Sequence, residues 1–150
     1  MHYDKQEFDN LIKKSSNIAI FWHDLIDGDA IWSILWFWRF LEKLWKSVSY
    51  FTPTKPARIF SFLPWIEKIS TNFSLWAYDI CIFCDFTAYY RIWPFTKNNE
   101  MYFNRQNIMI IDHHIADNEP KNIFCIRDTS AIATCLILRE ICINYDHSII

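Results

Sequence analysis

Asn107-Ile108-Met109-Ile110-Ile111-Asp112-His113-His114 is the stretch on which the reading of this chain turns. Residues 107–111 have the length and apolar character of a buried strand. The run ends abruptly in a carboxylate and two imidazoles. Three polar, metal-capable side chains directly behind a buried strand are costly to place unless they are used. In open α/β sheets, ligands bind just beyond the carboxyl ends of the strands. Two other runs end in the same way. Residues 17–22 lead into His23-Asp24-Leu25-Ile26-Asp27-Gly28-Asp29, and residues 78–84 end in Asp85. Three strand ends therefore deliver His23, Asp27, Asp29, Asp85, Asp112, His113 and His114 to one rim. Such a donor set suits two hard or borderline divalent cations.

Outward from that rim the periodicity sets the elements. Residues 4–14 carry Phe8, Leu11 and Ile12 at helical spacing. Residues 17–22 form the first strand, 29–44 a helix and 46–51 a second strand with alternating side chains. A loop, Thr52-Pro53-Thr54-Lys55-Pro56, follows. Residues 58–63 read as a short extra strand and 66–69 as a helical turn. The third strand is 78–84, and 86–91 a short helix. Residues 96–100 are a polar turn, 107–111 the fourth strand and 122–126 the fifth. The last helix is 130–143, with Asp128, Thr129 or Ser130 as its cap. Strands alternating with helices predict an α/β domain with a mostly parallel, five-stranded, Rossmann-like sheet and helices on both faces. By analogy the strand order is 2-1-3-4-5, which puts the first and third strands at the switch point where a crevice opens.

At these residues the chain resembles the DHH family of phosphoesterases, named for its Asp-His-His triplet. The first motif of that family is a His with Asp at +4 and +6, then a small residue and Gly-Ser. Here it reads His23, Asp27, Asp29, Ala30, then Trp32-Ser33. The second motif is the strand-closing Asp85, and the third is Asp112-His113-His114. The resemblance covers about residues 17–143. The piece from Asp85 to Arg91-Ile92 is similar to the branch that degrades very short RNA and dephosphorylates adenosine 3′,5′-bisphosphate. The resemblance implies two divalent cations, manganese first and magnesium second. It assigns His23 and Asp27 to one ion, Asp29 and His113 to the other, and Asp85 to both. It places His114 beside the phosphate and Asp112 behind the His pair. Arg91 is a candidate phosphate contact, with a surface ion pair as the alternative. Inorganic pyrophosphatase and cyclic-dinucleotide phosphodiesterase share these motifs. The resemblance further implies one more Asp on a strand after the last helix, and a DHH-associated domain that sets specificity. On that reading residues 1–150 are one DHH domain, incomplete at its C-terminus and inactive by itself, and a homodimer is expected for the longer protein.

Composition narrows the partners. One 150-residue domain with 52% hydrophobic and 21% charged residues can build a proper core. A net charge of −2 argues against an extended nucleic-acid surface. A small nucleotide or short oligonucleotide remains compatible, because cations can supply the positive charge. Five Cys without a signal peptide point to the cytoplasm. Cys81 and Cys84 lie in one strand on opposite faces, as buried cysteines rather than a metal pair.

One ratio is abnormal. The chain has one Gly and eight Trp, whereas glycine averages about 7% of residues. The tryptophans sit where an α/β domain needs glycine. Trp32 takes the Gly position of the first motif, and Trp45 the residue after a helix. Trp65 follows Pro64, Trp93 precedes Pro94, and Trp22 and Trp76 flank loops. Codons of UGA, read as glycine in some bacteria and as tryptophan in others, would explain all eight. Glycine would then reach about 6%, an ordinary share. The competing class is a Trp-rich membrane-surface interaction protein. Residues 30–46 contain four Trp and end in lysine, as an interfacial helix would. The apolar run before Arg39 is too short to span a bilayer.

Overall fold

The structure, a computed structural model, describes residues 3–24, 26–73, 78–86, 95, 97, 99–103, 107–116 and 123–146, with the backbone alone at 100 and 101. Helix α1, Lys5–Lys14, starts where the Asp4 carboxylate accepts the Glu7 N–H at 2.9 Å, and it buries Phe8 and Ile12. Strand β1, Asn17–Phe21, follows, then helix α2, Gly28–Lys43. Asp27 caps α2 through the Ala30 N–H at 2.9 Å. Ala30, Ile31, Ile34, Phe37, Trp38 and Leu41 recur at three- and four-residue steps and are all buried. Strand β2 is Ser47–Phe51, β3 Ile69–Ser70 and β4 Ile80–Cys84. The short helix α3, Glu100–Phe103, precedes β5, Asn107–Asp112. Strand β6, Phe124–Arg127, and helix α4, Thr134–Tyr145, complete the order.

The sheet has six strands in the order β3-β2-β1-β4-β5-β6, and every pair is parallel. The α/β class follows from the sequence pattern, but the five-strand expectation is corrected by an added edge. Residues Ile69–Ser70 pair with Tyr50 and Phe51. Two residues are too few to carry an alternating pattern, so the sequence read Ile69 as the end of a helical turn and Ser70 as part of no element. The expected strand at 58–63 is instead a 3-10 turn over Arg58–Phe60. The other five strands keep the anticipated relative order, with the reversal between β1 and β4. The helix expected at 86–91 lies almost wholly outside the described residues, as do parts of the turn at 96–100.

Alternation along the central strands separates two cores. Ile18, Ile20, Ile80, Ile82, Met109 and Ile111 face α1, α2 and α4. Ala19, Phe21, Cys81, Phe83 and Ile110 face the other way. There Phe51, Phe73, Phe95 and Phe103 surround Phe21 at ring separations of 5.0–5.8 Å. Cys81 and Cys84 are buried free thiols on opposite faces. Helix α2 packs its buried apolar side on the sheet and α4. Among the described residues no helix is long and apolar enough to cross a membrane.

Both ends of the helical layer are capped unusually. Past Lys43, the Trp45 N–H donates to Glu42 O at 2.9 Å and the Lys46 N–H to Leu41 O at 3.1 Å. That is a Schellman motif, with Trp45 at φ 60° in the position glycine favours. Helix α4 begins at Thr134, later than the expected 130, and Ala133 offers it no side-chain cap. Asp128 closes a local turn through the Ser130 N–H and hydroxyl, ahead of the helix start at Thr134, which corrects its assignment as the helix cap. The cap comes from Asp29, over a hundred residues earlier. Its carboxylate accepts the Thr134 N–H at 2.7 Å and the Cys135 N–H at 2.9 Å.

Candidate metal centre

The carboxyl ends of β1, β4 and β5 converge on Asp85. This residue follows β4 at φ 55°, a left-handed conformation that Asp tolerates better than most residues. The Asp85 N–H donates to Ile111 O at 2.9 Å, so the neighbouring strand holds it there. Its carboxylate is 1% exposed. Oδ2 lies 3.4 Å from His23 Nε2, while Oδ1 lies 3.7 Å from His113 Nε2 and 3.5 Å from His114 Nδ1. One buried carboxylate therefore turns an oxygen to each of two histidine groups. Ligand atoms of His23, Asp27 and Asp85 lie within 4.8 Å of one another, and so do those of Asp85, His113 and His114.

The imidazoles are oriented from behind. His23 Nδ1 meets the Asp24 carbonyl, and His113 Nδ1 lies 3.2 Å from Ala131 O. A carbonyl only accepts, so each of these Nδ1 atoms carries the proton and Nε2 presents its lone pair. His114 Nδ1 lies 2.8 Å from Asp112 Oδ1. Asp112 is fully buried at the last position of β5 and also accepts the His113 N–H at 2.9 Å. Its second oxygen accepts from Arg127 Nη1, which also donates to His114 O at 2.9 Å. Arg127 is the last residue of β6, in register with Asp112. The sequence reading passed over it. The one signal was a charge closing the predicted fifth strand, and only the register shows which residue it faces.

Asp29 lies beside His113 and also serves the start of α4. Its Oδ2 is 3.6 Å from His113 Nε2, but both oxygens cap α4, and the second close group contains His114 rather than Asp29. Arg91 lies outside the described residues. Asp79, at the opposite end of β4, accepts the Ser16 and Asn17 N–H groups, which hold its carboxyl below the usual range. Near the cluster, burial and the charges of Asp85, Asp112 and Asp29 push the Cys84 thiol well up. Burial and Asp29 push Cys135 up to about 11.

Three carboxylates and three imidazoles around the buried Asp85 fit divalent cations: the ligand type is right, and the Nδ1 partners match those of metal-ligating histidines. An all-parallel sheet with this cluster at its carboxyl rim defines an α/β protein with a candidate two-metal centre. The chain belongs to the DHH family, whose N-terminal domain matches residues 17–149. The fold is also that of an exopolyphosphatase-related protein from Bacteroides fragilis, with a TM-score of 0.80 at 21% identity over 95% of this chain. The chain spans 44% of that protein's length. No curated protein matches it.

Proposed function

We propose that this chain is the metal-binding domain of a divalent-metal-dependent phosphoesterase acting on small nucleotide phosphates or short oligonucleotides. The observation that carries the reading is Asp85, one buried carboxylate facing two histidine groups. His23, Asp27 and Asp85 would hold one cation. Asp85 and His113, with Asp29 beside them, would hold the second. Two such ions, manganese by preference and magnesium otherwise, would supply Lewis acidity and a water of lowered pKa. The chain's own groups do the rest. Asp112 and Arg127 fix the His114 ring, so that its Nε2 can deliver a proton to the leaving oxygen. The ligands on this chain suit the first ion better than the second, because Asp29, 3.6 Å from His113, stands outside the close group of Asp85, His113 and His114. The 150-residue chain alone is accordingly expected to be inactive.

The test is manganese-dependent hydrolysis by the complete gene product. Adenosine 3′,5′-bisphosphate, a dinucleotide, a cyclic dinucleotide and pyrophosphate serve as separate substrates. Turnover of either of the first two, abolished in Asp85→Asn, supports the reading. Turnover of pyrophosphate or the cyclic dinucleotide alone would move the substrate class. Activity retained in Asp85→Asn would place the chemistry elsewhere.

We also propose that the tryptophans stand for UGA-encoded glycines. Among the described residues, three non-glycines have positive φ, and two of them are Trp45 and Trp65. Trp65, at φ 68° and ψ 6° directly after Pro64, has the geometry of the glycine position of a type II turn. Trp22 and Trp36 bury indole N–H groups that have no hydrogen-bond partner among the described residues. Each such orphan costs about 1–3 kcal/mol. Trp32, at the Gly position of the first motif, is 58% exposed and so does not crowd the sheet. UGG codons at these positions would refute the proposal.

A further inference from the structure

Thr134 is fully buried at the first position of α4, and it touches both carboxylates of the second ion group at once. Its Oγ1 donates to Asp85 Oδ1 at 3.1 Å, and its N–H donates to Asp29 Oδ2 at 2.7 Å. The neighbouring Cys135 N–H takes Asp29 Oδ1 at 2.9 Å. The start of α4 is thus docked on two acids from different elements: Asp29 from α2 and Asp85 from the end of β4.

The hydroxyl matters because Asp85 has two jobs that depend on how its carboxylate is turned. Oδ2 faces His23, and Oδ1 faces His113 and His114. A carboxylate at the end of a side chain can rotate about its last bond, which is soft. The hydrogen bond from Thr134 to Oδ1 opposes that rotation. We propose that Thr134 is a positioning residue for the metal centre: its hydroxyl sets the plane of the Asp85 carboxylate, and its N–H holds Asp29 beside His113, so that the second cation finds its oxygens already placed. The proposal rests on the two-metal reading. It adds a residue that contacts neither the ion nor the substrate and acts through Asp85 and Asp29. A carboxylate oxygen has two lone pairs, so accepting these bonds leaves each oxygen able to meet a cation.

The test is manganese binding by the 150-residue chain, followed by calorimetry and by the electron paramagnetic resonance of the bound ions, in wild type, Thr134→Val, Thr134→Ala and Thr134→Ser. Thermal unfolding is measured alongside. Loss of a partner behind a metal ligand typically weakens metal binding by about 10–100-fold. Valine and alanine should weaken the second ion by that factor and the first by less, because His23 and Asp27 also hold it, with any spin coupling between the two ions lost. Serine keeps the hydroxyl and should behave as wild type. Alanine decides the matter where valine does not fold, since it keeps the N–H to Asp29 and removes only the hydroxyl and methyl. Unchanged binding of the second ion in a folded alanine variant, with only the melting temperature lowered, would make Thr134 structural and overturn the proposal. Equal loss of both ions would overturn it too. Failure of the wild-type chain to bind manganese at all would instead overturn the two-metal reading, and this proposal with it.

Discussion

Replacing Trp45 with glycine should stabilise the protein, although it removes the largest natural side chain. Trp45 is 95% exposed, so little buried contact is lost. Its backbone closes the Schellman motif at the end of α2 at φ 60°, through bonds from the Trp45 and Lys46 N–H groups. A residue with a Cβ pays about 1–2 kcal/mol to stand in the left-handed region. Glycine removes that strain, but its unfolded chain is more disordered, by an amount worth about 0.5–1 kcal/mol. The net gain is about 0.5–1 kcal/mol. At roughly 2–4 °C per kcal/mol for a domain of this size, the midpoint should rise by about 1–4 °C. Trp45→Ala is the control. It discards the same indole but keeps the Cβ, so it should fall about 1 kcal/mol below glycine. Both are read by reversible urea unfolding at constant slope. Glycine no more stable than alanine would refute the strain argument and remove the main structural support for glycine at this position. Trp65 is a less clean probe, because its ring lies 4.5 Å from that of Trp38 and glycine would lose that contact.

Other expectations follow from the same geometry. Arg127→Met leaves the fully buried Asp112 without its guanidinium and should cost about 3–5 kcal/mol in urea unfolding; a cost under about 1 kcal/mol, the range of a surface pair, would show that the pair contributes as little as an exposed one. The double variant Arg127→Met, Asp112→Asn should recover part of that loss, since the buried charge goes with its partner. The Asp79 carboxyl is lowered by the Ser16 and Asn17 N–H groups, so it stabilises the fold above its unfolded value of about 3.9 and loses this effect as pH falls through its folded value. Asp79→Asn should therefore be less stable than wild type at neutral pH and equal to it in strong acid; a gap that persists or widens in acid would contradict that sign.

The site was legible wherever the signal was local. His23, Asp85 and Asp112 could be placed because each directly follows or closes an apolar run, and the chain direction of parallel strands sends all three to one rim. What escaped was non-local. Asp128-Thr129-Ser130 has the composition of a helix cap, yet the helix starts four residues beyond Ser130 and takes its cap from Asp29 on another helix. No window along the sequence contains both partners. Arg127 and Thr134 were missed for the same reason: one acquires its role from strand register and the other from the packing of α4 on α2 and β4. The edge strand was missed because two residues carry no period.

The central claim is that Asp85 serves two cations at once. Its most direct measurement is anomalous diffraction from crystals of the protein grown in manganese. The account predicts two peaks, one among His23, Asp27 and Asp85, and one among Asp85, His113 and Asp29, with Asp85 contributing an oxygen to each. No peak at Asp85 would contradict it, and so would a single ion bound only by residues away from the ends of β1, β4 and β5.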